Sequence, residues 1–311
     1  MLRIHHRSIL LLLVVFIHCG NNPGSGETKG AARASDTSLA DNRNSAEALT
    51  GTYNLSKPSR SWRLPDQLVE VSGNTWLDSN HLLLIEDLHP VLYLVNIKGN
   101  NASLEKAIPF AEAEKDKVDI EDVAMVGNTV YALWSHGVLF KISDWRGAPA
   151  VQRIETGLAK ENNTEGLCYD PVTKNLLIAC KDDPGIAGGK KSDKAVFQFD
   201  LNKQALLQPP FLLIHKKDFE SVVNEKLSFN PSAIAVHPVT HDIYVLTTRE
   251  NKGMAVYSHE GSLKSYQAIE KDLMPQPEGI CFSPDGKLYI SSEGKKGEAG
   301  NLFEFKPLQR P

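Results

Sequence analysis

The stretch 163–180, Asn-Thr-Glu-Gly-Leu-Cys-Tyr-Asp-Pro-Val-Thr-Lys-Asn-Leu-Leu-Ile-Ala-Cys, is a polar step followed by two short apolar runs around a turn. The turn is Asp170-Pro171-Val-Thr-Lys174-Asn175, a cluster whose residues favour chain reversal. The pattern returns as AIAVHPVTHDIYVLTT at 233–248 and as GICFSPDGKLYISSE at 279–293. The polar steps recur more often still: Glu70-Val-Ser72-Gly73, Asp119-Ile-Glu121-Asp122, Asn163-Thr-Glu165-Gly166, Asn230-Pro-Ser232-Ala233 and Gln276-Pro-Glu278-Gly279. Their third residues, Ser72, Glu121, Glu165, Ser232 and Glu278, are spaced by 49, 44, 67 and 46 positions. A repeated polar register with a period near 45 predicts a repeat architecture.

A third apolar run completes each unit: Val91–Val95, Gly137–Ile142, Lys194–Phe199, Met254–Tyr257 and Asn301–Phe305. Segments such as Ser103–Phe110 and Ser262–Ile269 are candidates for an outer fourth strand. Four short strands per unit define a propeller blade, and no helical period is sustained in the region. The expectation is an all-β, five-bladed β-propeller. The last unit ends at Phe305 after three strands, so Ser59–Leu64 (SRSWRL) is expected to supply the missing strand of blade five and close the ring. A β-sandwich is the alternative, but it leaves the shared register of the polar steps unexplained.

The chain has 311 residues, with 34 basic and 38 acidic side chains and a net charge of −4. That balance gives no basic face and argues against nucleic-acid binding. Arg3, His5, His6 and Arg7 precede the unbroken apolar run Ile9–Ile17. Nine helical residues span about 13 Å, too short for a bilayer core of ~30 Å, so residues 1–18 are read as a secretory signal. Phe16-Ile17-His18-Cys19-Gly20 resembles the lipobox of bacterial lipoproteins, with Cys19 as the lipidated residue. His18 departs from the small residue usual before that cysteine. An ordinary cleaved signal is the alternative, with its nearest A-x-A at Ala32-Arg33-Ala34. Two or more acyl chains are enough for stable anchoring, which places the chain at a membrane of the bacterial cell envelope. Residues 19–60 are small and polar and are expected to be a disordered tether, leaving 61–311 as the folded domain. Cys168, Cys180 and Cys281 each lie inside an apolar run and read as buried thiols.

In a propeller the five polar steps meet at one mouth of the central channel. Glu121, Glu165 and Glu278 then share a ring with Ser72 and Ser232, with Glu70, Asp119, Asn163, Asn230 and Gln276 two residues upstream. Three carboxylates on one axis repel unless cations or protons compensate. Hard oxygen donors without histidine or thiol favour calcium. The expected ligands are Glu121, Glu165, Glu278 and Asp119, supplemented by Asp87 and Glu293 from the ends of the second strands, which reach the same mouth or the opposite one depending on register. Two other readings stay open: hydrogen bonding to backbone in the next blade, and protonated or salt-bridged carboxylates. His237 and His241 fall in a hairpin turn, not a zinc site. Lys190, Lys191, Lys194, Lys295 and Lys296 read as solvated loop tips.

Leu64–Gly73, Asp119–Asp122, Glu165–Pro171, Pro277–Ile280 and Leu288–Glu293 with Asn301–Phe303 together resemble the SdiA-regulated family over nearly all of residues 62–306. These are bacterial envelope proteins named for regulation by a LuxR-type transcription factor. The resemblance implies a five-bladed propeller distantly related to NHL-repeat proteins, with a calcium site and no established activity. Ser135 and Lys181 stand where the family tends to be acidic, which puts ligands from those two strand ends in doubt.

Two functions are compatible with these residues. One is a lipid-anchored, calcium-binding module, monomeric and non-enzymatic, that presents one face to an envelope protein or small ligand. The other is a metal-dependent lactonase or phosphoesterase using the channel carboxylates. A catalytic nucleophile motif is missing from the sequence, which favours the first.

Overall fold

A computed structural model describes residues 53–111, 119–186, 190, 192–224, 227–295 and 298–308. Its strands form five antiparallel sheets. Blade 1 runs from the channel outward as Val71–Asp78, His81–Glu86, His89–Asn96 and Ser103–Pro109. Blade 2 is Ile120–Val126, Thr129–Trp134, Val138–Ser143 and Ala150–Glu155. Blade 3 is Thr164–Asp170, Asn175–Cys180 and Lys194–Asp200, with an outer strand split into Ala205–Leu206 and Leu212–Ile214. Blade 4 is Pro231–Val236, Ile243–Thr247, Gly253–Tyr257 and Leu263–Ala268. Blade 5 is Gln276–Phe282, Leu288–Glu293 and Asn301–Phe305, with Arg60–Arg63 as its outermost strand.

The second strand of each blade is a run of consecutive apolar residues because both of its faces are buried. In blade 1, Leu83 and Ile85 pack toward blade 2, while Leu82 and Leu84 pack toward blade 5. In blade 3, Leu176, Ile178 and Cys180 face blade 2 and Leu177 and Ala179 face blade 4. The period of two along a strand thus divides one run between two cores. There are five such cores among the described residues, one at every junction between neighbouring blades.

The ring closes as the sequence predicts. Arg60–Arg63 pairs antiparallel with Asn301–Phe305, Trp62 opposite Leu302. Trp62 is 1% exposed, and its Nε1 donates to Gly99 O of blade 1 at 2.9 Å. The Arg60 guanidinium lies 4.3 Å from the Trp62 ring centroid and donates to Ile97 O and Gly99 O. One short strand therefore completes blade 5 and fastens it to blade 1.

The ordered body begins before residue 61. Tyr53 and Leu55 are buried between blades 4 and 5, and the Tyr53 hydroxyl donates to Gly286 O at 2.7 Å. Residues 53–60 are thus packed chain, not tether, because two large apolar side chains in a polar segment find a slot beside Tyr244 and Phe282. Lys194 is also no loop tip: it is 7% exposed and its Nζ donates to Asp182 O at 3.0 Å. Lys190 and Lys295 are exposed as expected, while Lys191 and Lys296 lie outside the described residues. His237 and His241 do sit in a turn, with His241 N donating to His237 O and His241 at φ 59°. The three described cysteines are free thiols. The long 67-residue spacing is filled by the split outer strand of blade 3 and the helical turns Lys216–Phe219 and Glu220–Val223.

Candidate functional site: the acidic mouth of the channel

All five blades share one register break between their first and second strands, and blade 1 has a second between Trp76 and Asp78. The shared breaks fall between Val71 and Gly73, Ile120 and Asp122, Thr164 and Gly166, Pro231 and Ala233, and Pro277 and Gly279. The extra residue is Ser72, Glu121, Glu165, Ser232 or Glu278, the five positions that mark the repeat. A β-bulge twists the strand and re-aims one side chain. Here it turns the same residue of every blade out of the pleat. The following residue presses on the next blade. A Cβ at Gly73 would lie 2.5 Å from Asp122 Oδ1, and one at Gly279 would collide with Ser291 Oγ and reach 2.6 Å from Asn74 Nδ2.

The register also places the second-strand ends at this same mouth. Val71 pairs with Glu86, Ile120 with Trp134, Thr164 with Cys180 and Pro231 with Thr247, while Gln276 pairs with Glu293. The residues that come next to the bulges are therefore Asp87, Ser135, Lys181, Thr248 and Glu293. Asp87 N donates to Glu70 O, Ser135 N to Asp119 O and Lys181 N to Asn163 O. Every sequence-predicted ligand in the described residues thus belongs to one end of the channel. Cys19 lies outside the described residues.

The two serines hydrogen-bond to the neighbouring blade. Ser72 Oγ donates to Ile120 O at 2.6 Å and Ser232 Oγ to Pro277 O at 2.9 Å. The glutamates do something else. Glu165, 4% exposed, receives Lys181 Nζ at 2.8 Å on one oxygen and Asn163 Nδ2 at 2.9 Å on the other. Burial first, and then the charges of Glu165 and Asp119, push the Glu121 carboxyl well above the usual carboxylate range. Glu165 is likewise raised by burial, with the charge of Lys181 pulling it back down. Glu278 is pushed up to about 8, by burial and then by Glu165. Burial opposes the charge of Lys181, yet Glu165, Glu278 and Glu121 hold it above the ordinary lysine value.

Farther out the acid has less compensation. Asp87 is raised to about 7 by burial and by Glu70, Glu293, Glu86 and Asp119, and its Oδ1 is buried without a hydrogen-bond partner. Glu293 is raised to about 7 by burial and then by Glu70. At the blade 3 rim Asp182 is bound by Arg249 through two N–H···O contacts of 2.7 and 3.3 Å. Asp122, adjacent to a marker in the sequence, is fully buried and braces the ring: its oxygens accept Val123 N at 2.8 Å and Leu167 N of blade 3 at 2.7 Å. It stands where the other blades carry Gly73, Gly166, Ala233 and Gly279, an exception visible in the sequence.

The donor set is all oxygen, which suits a hard divalent cation. The inner tier already contains an ammonium, and among the described residues no group of three or more His, Cys, Asp or Glu is spaced to hold a metal ion. Calcium would therefore have to draw in the outer carboxylates Asp87, Asp119 and Glu293.

Five bulged blades closed by a terminal strand around a carboxylate-lined channel define a five-bladed β-propeller with one acidic mouth. Residues 63–296 match the model of the SdiA-regulated family, and the chain belongs to that family. No curated protein matches the sequence. Among solved structures the chain is similar to the glutaminyl cyclase of Myxococcus xanthus, at 12% identity and a TM-score of 0.56, covering 82% of this chain and 97% of that one. It is also similar to the PQQ-bound aldose sugar dehydrogenase of Streptomyces coelicolor, at 13% identity and a TM-score of 0.50, covering 83% and 98%. At these identities the likeness is one of fold.

Proposed function

We propose that the chain is a binding module of the bacterial cell envelope, held at a membrane by a lipid on Cys19, whose acidic mouth takes a cation or the cationic group of a ligand. The observation that carries this reading is the convergence of five bulged positions on a ring where one lysine faces three glutamates. Asp87, Asp119 and Glu293 then remain as acid for an incoming charge. Calcium is the proposed cation, held by those three together with Glu121, Glu165 and Glu278, where it would neutralise repulsion and stiffen the mouth. Binding is favoured over catalysis because Ser72 and Ser232 are occupied by backbone carbonyls. The thiols are also kept from ionising: burial raises Cys180 to about 12 and Cys168 and Cys281 well above their usual value.

Thermal melts with excess calcium and with a chelator test the cation. At ~100 times Kd the ligand adds ~2.7 kcal/mol, a rise of about 5–11 °C for a body of this size. The rise should be lost in Glu165→Gln, and its absence in the unmodified chain would remove calcium from the proposal. Replacing Cys19 by Ala should release the protein from the membrane fraction. Retention at the membrane would refute the anchor.

A metal-dependent hydrolase is the second reading, favoured by one observation: Glu278, Asp87 and Glu293 are carboxyls poised near neutral pH, where a general acid or base works best. Turnover of lactone and phosphoester panels with added calcium should then exceed background and fall in Glu278→Gln. Rates at background would eliminate this reading.

A further inference from the structure

The opposite end of the same channel, where the first strands run into their hairpin turns, holds a cavity of about 390 Å³. All five blades line it: Trp76 and Leu77, then Met125, Tyr169, Val236 and Phe282. Each of these six side chains is half-buried, so large apolar surfaces from five blades meet water at one concavity. Among the described residues no charged side chain lines it. Asp122, which precedes the lining residue Val123, is fully buried and occupied by two backbone N–H groups.

One buried polar atom in this lining has no partner. Asn74 is 1% exposed and lines the cavity; its Nδ2 donates to Ser291 Oγ at 2.8 Å, while its Oδ1 is buried without a hydrogen bond. Buried carbonyl oxygens are nearly always paired, and an exception calls for an explanation. Half-buried Thr75, Tyr169 and Trp76 add two hydroxyls and an indole N–H to the same lining. The cavity thus offers largely apolar walls, no charge and one buried acceptor without a partner, in a volume typical of small-molecule sites, roughly 300–1,000 Å³.

We propose that this end of the channel binds a small, uncharged apolar molecule bearing one N–H or O–H donor. Its apolar body lies against Trp76, Met125, Tyr169 and Phe282, and its donor pairs with Asn74 Oδ1. This site is independent of the acidic mouth and of whatever binds there.

N-phenyl-1-naphthylamine, a neutral fluorophore with one N–H, is the probe. Titrated into the full chain it should brighten and saturate at one probe per protomer. Met125→Glu, which puts a charge among the apolar walls, should weaken binding at least tenfold in a protein whose melt is unchanged. The N-methylated probe lacks the donor and should bind the unmodified chain about fivefold to tenfold more weakly, the usual net effect of one hydrogen bond. Asn74→Leu should abolish that discrimination; if this variant does not fold, the comparison of the two probes on the unmodified chain decides the point. Glu165→Gln, at the far end, should leave the affinity for the probe unchanged. The proposal is overturned by any of three results: no saturation up to the probe's solubility, indifference to Met125→Glu, or equal affinity for both probes. Saturation at one probe per two chains also overturns it, in favour of a surface between copies.

Discussion

The two ends of the channel are made by the same five strands and have opposite chemistry. At one end every first strand carries a bulge, and Ser72, Glu121, Glu165, Ser232 and Glu278 leave the pleat together. At the other the strands reach their hairpin turns and present Trp76, Met125, Tyr169, Val236 and Phe282. The difference shows how a repeat fold separates direction from identity. A backbone irregularity repeated in each blade decides where a side chain points, and each blade then chooses its own residue. Serine in blades 1 and 4 ties neighbouring blades together, while glutamate in blades 2, 3 and 5 accumulates charge.

The comparison can be broken most severely at Lys181. Lys181→Met removes the ammonium that is coupled to all three glutamates and leaves Glu165 buried without its ion-pair partner. Removing one member of a buried pair costs about 3–5 kcal/mol, to be read from denaturant unfolding near neutral pH. Adding Glu165→Gln should recover much of that loss, and a double variant as unstable as the single one would contradict the ion-pair account. Next comes Gly279→Ala, which pushes a methyl group into Ser291 and Asn74 where blade 5 meets blade 1. Overpacking of this kind costs about 1–3 kcal/mol. Because Asn74 belongs to the apolar cavity, this variant should also disturb probe binding there while sparing the carboxylates. Ser232→Ala is milder: it loses the hydroxyl bond to Pro277 O, about 1 kcal/mol, and should not alter either end's ligand.

The gentlest perturbation is pH. Glu278 is raised to about 8, and Asp87 and Glu293 to about 7. These carboxyls bind protons more tightly in the folded chain than in the unfolded one, so protonation favours folding. That advantage is complete below the ordinary carboxylate value of about 4 and is lost as pH rises to 7–8. With a chelator present, the melting temperature should fall between pH 5 and pH 8. A rise over that interval would mean the mouth is already neutralised by partners other than protons. Glu278→Gln should flatten the slope.

Much of the fold was legible in the chain itself. The period near 45 and the consecutive apolar residues of the second strands required four-stranded units packed on both sides, and the strandless end of unit five pointed to Ser59–Leu64. The site was legible only in outline. Polar steps in register predicted a ring, and the second-strand ends do reach the same mouth. The bulge that aims the ring is a one-residue slip in pairing, and it leaves no trace in a hydrophobic pattern. Lys181 was visible as a departure, but its placement against Glu165 depends on the register of the first two strands of blade 3. Tyr53 and Leu55 were missed because a pair of apolar side chains in a polar stretch has no period, and Lys194 because a lysine in a basic loop looks solvated. Asn74 and the apolar cavity carried no signal at all: nothing in the sequence around Trp76, Met125 and Phe282 marks them as facing the open end of the ring.

The strand Arg60–Arg63 pairs with residues near 304. It is the first part of the ring to be synthesised and has to wait for almost all of the rest before its hydrogen bonds exist. Until Asn301–Phe305 is available, Trp62 has no blade to join, and blade 1 keeps an uncovered apolar flank at Leu82 and Leu84. Contacts this distant in sequence form slowly because loop closure precedes any gain from them. The closing strand therefore makes completion of the whole chain a condition for the stability of any part of the ring. It also leaves the apolar junction between blades 5 and 1 open through most of the chain's synthesis.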